Sequence, residues 1–106
     1  MISFNRGDVV TVDLGAVSKV RPCVVVSISK ADTQRNMSVV VPMTTERRGG
    51  ECEVPFPKPV WLKEASVVNV LGIAGVDNAR VLRRLGPFPA HIMKQVEAAL
   101  RRLLGF

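Results

Sequence analysis

Two short stretches carry residue types able to do chemistry on a phosphate: Arg21 directly before Pro22, and the pair Thr44-Thr45 shortly after Pro42. An arginine presents a planar fork of donors that stays charged at any ordinary pH, and a threonine adds one hydroxyl that donates or accepts. Brought together, they can hold one phosphodiester and stabilise the negative charge that builds up on it. On spacing alone the same residues fit an ordinary strand entry and strand exit better, and both readings stay open at this point. Other constellations are thinner. His91 is the only histidine, and its place at the start of a helical segment suits a solvent-facing or capping role. Asp8, Asp13, Asp32 and Asp77 stand apart at turn-like positions where aspartate serves the backbone, which argues against paired-carboxylate hydrolysis. Cys23 and Cys52 lack a CxxC spacing and a histidine cluster, so they are read as free buried thiols. The sequence has no glycine loop leading into a helix, and no metal and no cofactor are expected.

For Arg21 and Thr44 to meet, the segments carrying them must be neighbouring strands. Nineteen valines against four isoleucines bias the chain toward β-structure, because β-branched side chains fit a pleated surface. Val9 to Leu14 reads as a first strand, with Val10, Val12 and Leu14 on one face. Cys23 to Ile28, opened by Arg21-Pro22, reads as a second, and Met37 to Thr44 as a third, in which Pro42 demands an edge, a bulge or a strand end. Gly49-Gly50 predicts a hairpin turn into Cys52-Glu53-Val54, after which Pro55, Pro57 and Pro59 predict a stiff loop without regular pairing. Ser66 to Leu71 and Gly72 to Val76 read as two further short strands, where the sheet is expected to stop. Ile92, Val96, Ala99, Leu100 and Leu103 then recur at helical spacing, predicting one amphipathic helix over Ala90 to Leu104 that ends at Gly105. The unbroken valine runs of the second and third strands predict a sheet covered on both faces. The helix supplies one cover; a second copy of the chain, in a two-fold homodimer, is expected to supply the other.

The chain has 106 residues, a length that holds one hydrophobic core, so a single domain over 1–106 is expected. Its apolar runs are far shorter than the ~18 residues that span a bilayer, and it opens on no signal segment; it is read as soluble, cytoplasmic and without a membrane partner. Fifteen Lys and Arg against nine Asp and Glu leave a net charge of +6, which favours polyanionic partners, nucleic acid first.

Three blocks in order resemble the MazF/PemK family of toxins from bacterial toxin–antitoxin modules. GDVVTVDL (Gly7 to Leu14) is similar to the family's opening strand, RPCVVVS (Arg21 to Ser27) to its Arg-Pro block, and VPMTTE (Val41 to Glu46) to its Pro-x-Thr block. A weaker likeness runs through SVVNVLGIAGVDNARVLRRLG (Ser66 to Gly86) into the closing helix. The resemblance implies an α+β, mainly β fold: a small SH3-like barrel of about five to seven strands with a C-terminal helix. It also implies a homodimeric, metal-independent endoribonuclease that cuts single-stranded RNA and is inhibited by a cognate antitoxin. Arg21 and Thr44 fall on the family's catalytic positions, with Lys19, Ser27, Thr45, Arg47 and Arg48 as expected RNA contacts. The family's longer loop with an acidic residue is replaced here by Gly15 to Val20. Two other outcomes remain on the same scaffold: a CcdB-like inhibitor of DNA gyrase, and an RNA-binding barrel without turnover.

Overall fold

The computed structural model describes residues 2–15, 19–28 and 35–106. Among them run seven strands and one helix: β1 (Asp8–Asp13), β2 (Val20–Val25), β3 (Met37–Thr44), β4 (Glu53–Pro55), β5 (Val67–Asn69), β6 (Ala74–Asp77), β7 (Val81–Pro87) and α1 (Ala90–Leu104). The sheet order is β4-β5-β3-β2-β1-β7, with β6 also on β3, and every pairing is antiparallel. The mainly β, helix-terminated architecture expected from the sequence is present, and the sheet is open: no pairing joins β4 to β7 among the described residues.

β3 is the spine. One edge pairs with β2, from Cys23↔Pro42 to Val25↔Val40. The other edge pairs first with β6, from Met37↔Asp77 to Val40↔Ala74, and then with β5 at Met43↔Val68 and Thr44↔Val67. Between β5 and β6 the chain makes a 3-10 turn, Val70–Gly72, capped by Asn69, whose side-chain oxygen accepts the Leu71 N–H at 3.2 Å. That break lies against Pro42: a Cβ on Gly72 would stand 2.5 Å from the proline Cγ. The demand made by a proline inside a strand is thus met by interrupting the neighbouring strand.

Three expectations need correction. Gly49-Gly50 is no hairpin turn, because β5 lies between β3 and β4 in the sheet and the 45–52 segment is a crossing loop. Pro55 does pair, opposite Val67, at the sheet edge where a missing N–H is tolerated. The sheet also continues past Val76: β7 returns to pair with β1, from Asp8↔Pro87 to Val12↔Val81. Register shifts between Val9 and Val10 and between Thr11 and Val12 break its alternation, and only Val81 and Gly86 of the strand are buried. An interrupted period of two therefore hid it.

Alternate valines feed two cores. Val9, Val24, Val41 and Val68 lie under Ile92, Met93, Val96 and Ala99 of α1, with Phe56 and Phe88 edge to face at 4.9 Å. Val10, Val12, Cys23, Val25, Val40, Val76 and Val81 fill the opposite face, where Ile2, Phe4 and Leu14 pack against them. Both faces are covered within one chain, so the valine runs call for no partner copy. α1 stops at Gly105 (φ 78°), whose N–H donates to the Arg101 carbonyl at 2.9 Å.

Candidate functional site

β2 and β3 carry the two residues singled out in the sequence. Continuing their antiparallel register two residues beyond Cys23↔Pro42 sets Arg21 against Thr44. Arg21 is exposed and Thr44 half-buried. The Thr44 hydroxyl oxygen accepts the Glu46 N–H at 3.1 Å, which fixes the side chain and leaves its own proton to donate. Both residues line two grooves at once, so they form the ridge between them. The first groove, about 690 Å³, is walled further by Glu46, Arg48, Glu51, Glu53 and Asn69. The second, about 540 Å³, is walled by Lys19, Thr45, Trp61, Lys63, Glu64 and Leu85.

The loop beside Thr44 is built around Glu53. Its carboxylate accepts the Arg48 N–H at 2.9 and 3.1 Å and the Gly49 N–H at 2.8 Å. These bonds, aided by the nearby Arg47 and Arg48 charges, hold the Glu53 carboxyl below the ordinary carboxylate range. From the helix side, the Arg102 guanidinium donates to the Glu51 carbonyl at 3.1 Å. Arg48 also stands 3.8 Å from Glu46, an exposed pair of small energetic weight. At the other wall Lys19 adopts φ 60°, the left-handed region, where its N–H donates to the Gly15 carbonyl at 2.9 Å and its carbonyl accepts the Leu14 N–H at 3.1 Å.

Of the expected RNA contacts, Lys19, Thr45 and Arg48 stand at the grooves. Arg47 is exposed on the crossing loop and lines neither groove. Ser27 lies beyond the far end of β2 from Arg21, where its hydroxyl oxygen accepts the Val39 N–H at 3.0 Å. The basic run that ends the sheet is partly structural: Arg84 makes a two-pronged bond to Asp8 at 3.0 and 3.1 Å, and Arg80 reaches the Asp13 carbonyl. His91 is exposed in the first turn of α1, away from both grooves. Asp13 and Asp77 accept from Gly15 and Ala79, the backbone service expected of them. Asp32, Lys30 and the 16–18 part of the loop before Arg21 lie outside the described residues.

The cysteines differ from each other. Burial pushes the Cys23 thiol up to about 12, only partly countered by the Arg21 charge. Cys52 is half-buried and lines the first groove, which corrects the reading of both as buried thiols. Sequence reasoning missed Glu53, Lys63 and Glu64. The only signals for them were a Glu-x-Glu after Arg-Arg-Gly-Gly and a Lys-Glu pair close behind the sole tryptophan.

Residues 5–104 match the family of PemK-like, MazF-like toxins of type II toxin–antitoxin systems. The chain belongs to that family. It is similar to a mycobacterial endoribonuclease solved in complex with its cognate antitoxin, at 26% identity, TM-score 0.84, and coverage of 98% of this chain and 97% of that one. A second mycobacterial endoribonuclease shares 25% identity at TM-score 0.81, covering 100% of this chain and 95% of that one. MazF from Deinococcus radiodurans shares the fold, at 23% identity, TM-score 0.84 and full coverage of both chains. Among the described residues no helix is long and apolar enough to cross a membrane.

Proposed function

We propose that the chain, acting over 1–106 as one toxin unit in the cytoplasm, is an endoribonuclease that cuts single-stranded RNA at preferred sequences, messenger RNA included, without a metal. The observation that carries this reading is the Arg21–Thr44 pair on the ridge shared by two grooves, in a chain of the toxin family. A strand laid across that ridge has room on both sides of one phosphate. The 2′-hydroxyl oxygen attacks the adjacent phosphorus, losing its proton to a base. The bond from phosphorus to the 5′-oxygen breaks, and that oxygen takes up a proton. The products are a 2′,3′-cyclic phosphate and a 5′-hydroxyl. Arg21 stabilises the charge on the pentacoordinate phosphate and Thr44 donates to one of its oxygens. Lys19, Thr45 and Arg48 hold the flanking backbone. An acidic, apolar-studded segment of an antitoxin occupies the same ridge and excludes RNA. The homodimer is part of the proposal, with exposed Leu82 as apolar surface available for it.

The test incubates purified protein with long single-stranded RNA in EDTA, maps the new ends, and reads the oligomeric state by sedimentation. Cuts at a recurring short motif with the ends named above are expected, and Arg21→Ala lowers their rate by about 10²–10³-fold or more while the fold persists. Intact RNA from folded wild-type protein overturns the reading.

A further inference from the structure

We propose that the second groove seats the RNA on one side of the scissile phosphate, with the Trp61 indole as a stacking platform for a base and Lys19 and Lys63 following the backbone. This rests on the reading of the chain as an RNA-cleaving toxin. A strand can leave the Arg21–Thr44 ridge through either groove, and charge separates the two. The second groove sets Lys19, Arg21 and Lys63 against Glu64 alone. The first sets Arg21 and Arg48 against three carboxylates, Glu46, Glu51 and Glu53. A polyanion is drawn more strongly to the former than to the latter, where Arg48 is the one cation beyond the ridge.

The apolar wall agrees with the charge. Cations beside an aromatic face are what single strands need, because every base has a face to stack while the phosphates pair with the cations. Trp61 is half-buried, packed against the core beneath α1, and still lines the groove. Gly86 of β7 makes that placement achievable: a Cβ there would stand 2.9 Å from the indole Nε1. The ring is therefore held before any ligand arrives, so stacking orders little that was free.

Trp61 is the only tryptophan and the chain has no tyrosine, so its emission reports this groove directly. The wild-type protein is titrated with a short oligoribonucleotide whose 2′-hydroxyls are methylated to prevent cleavage. Saturable quenching that weakens with salt is expected. Trp61→Leu raises KM for RNA cleavage by about 5- to 100-fold with kcat near wild type, and Trp61→Phe restores most of the loss. Unmoved emission together with an unchanged KM in Trp61→Leu overturns the subsite and leaves the endonuclease reading standing. Quenching by a protein that leaves RNA intact supports the subsite while turnover fails. Neither quenching nor cleavage overturns both. Should Trp61→Leu not fold, the wild-type titration decides: salt-sensitive, saturable quenching supports the subsite and unmoved emission overturns it.

Discussion

Glu53 holds the crossing loop by one carboxylate that accepts from two successive backbone N–H groups, those of Arg48 and Gly49. Removing it leaves both donors to water and frees the Arg47–Arg48 backbone from the carboxylate that holds it. Glu53→Ala is expected to speed trypsin cleavage after Arg47 or Arg48 several-fold under native conditions, with little change in the unfolding midpoint; equal cleavage rates refute the clasp. The placement of Arg21 and Thr44 at neighbouring strand ends was legible in the sequence, because Pro22 and Pro42 mark those strands and the blocks stand in order. Glu53 was not, because its role is to serve a backbone four and five residues earlier, and any exposed glutamate looks alike in a sequence. Ser27 shows what a block hides: its hydroxyl belongs to the same block as Arg21, yet it lies beyond the other end of the strand and accepts from the Val39 N–H.

At the level of elements, the paired interruption at Pro42 and Gly72 decides the shape of the sheet around the ridge. A methyl on Gly72 would meet the rigid proline ring at 2.5 and 2.9 Å, whereas one on Gly75 would meet only the flexible end of Met37 at 3.8 Å. Gly72→Ala is expected to lower stability by about 1–3 kcal/mol, measured from the urea midpoint, and Gly75→Ala to change it by far less. Equal effects from the two substitutions would show that the close approach does not matter. The strands that alternate or run unbroken in valine, β1 to β3, were readable from the sequence, as was α1 from its period. β7 was not, because three of its middle residues, Leu82, Arg83 and Arg84, are all exposed and its pairing with β1 slips twice. The 45–52 crossing was misread because a Gly-Gly turn names a bend but not the strand that the chain pairs with next.

For the whole molecule, the first strand is tied to the last by Asp8 and Arg84. Burial raises the Asp8 carboxyl, but the Arg84 guanidinium and the Asn5 N–H more than offset it, leaving it below its ordinary 3.8. A carboxyl lowered in the folded state adds stability that is complete above its unfolded value and drains away as the pH falls through 3.8 and beyond. Thermal unfolding of the wild type should therefore fall more steeply below about pH 5 than that of Asp8→Asn, and parallel curves would remove Asp8 from the acid response. The covered second face belongs here too: a single sequence cannot reveal that Ile2 and Phe4 pack over the valines, so the valine runs by themselves carry no information about a partner. Synthesis from the N-terminus makes the ridge strands before the helix that covers them. Val24 and Val41, which back the ridge strands, share their core with Ile92 to Ala99 of α1, and β1 pairs with β7 at Val81–Pro87. While the ribosome is still making the middle of the chain, Arg21 and Thr44 already exist but stand on strands without a floor. Arg21 and Thr44 thus stand on a finished ridge only once α1, the last of the elements, has packed beneath β2 and β3.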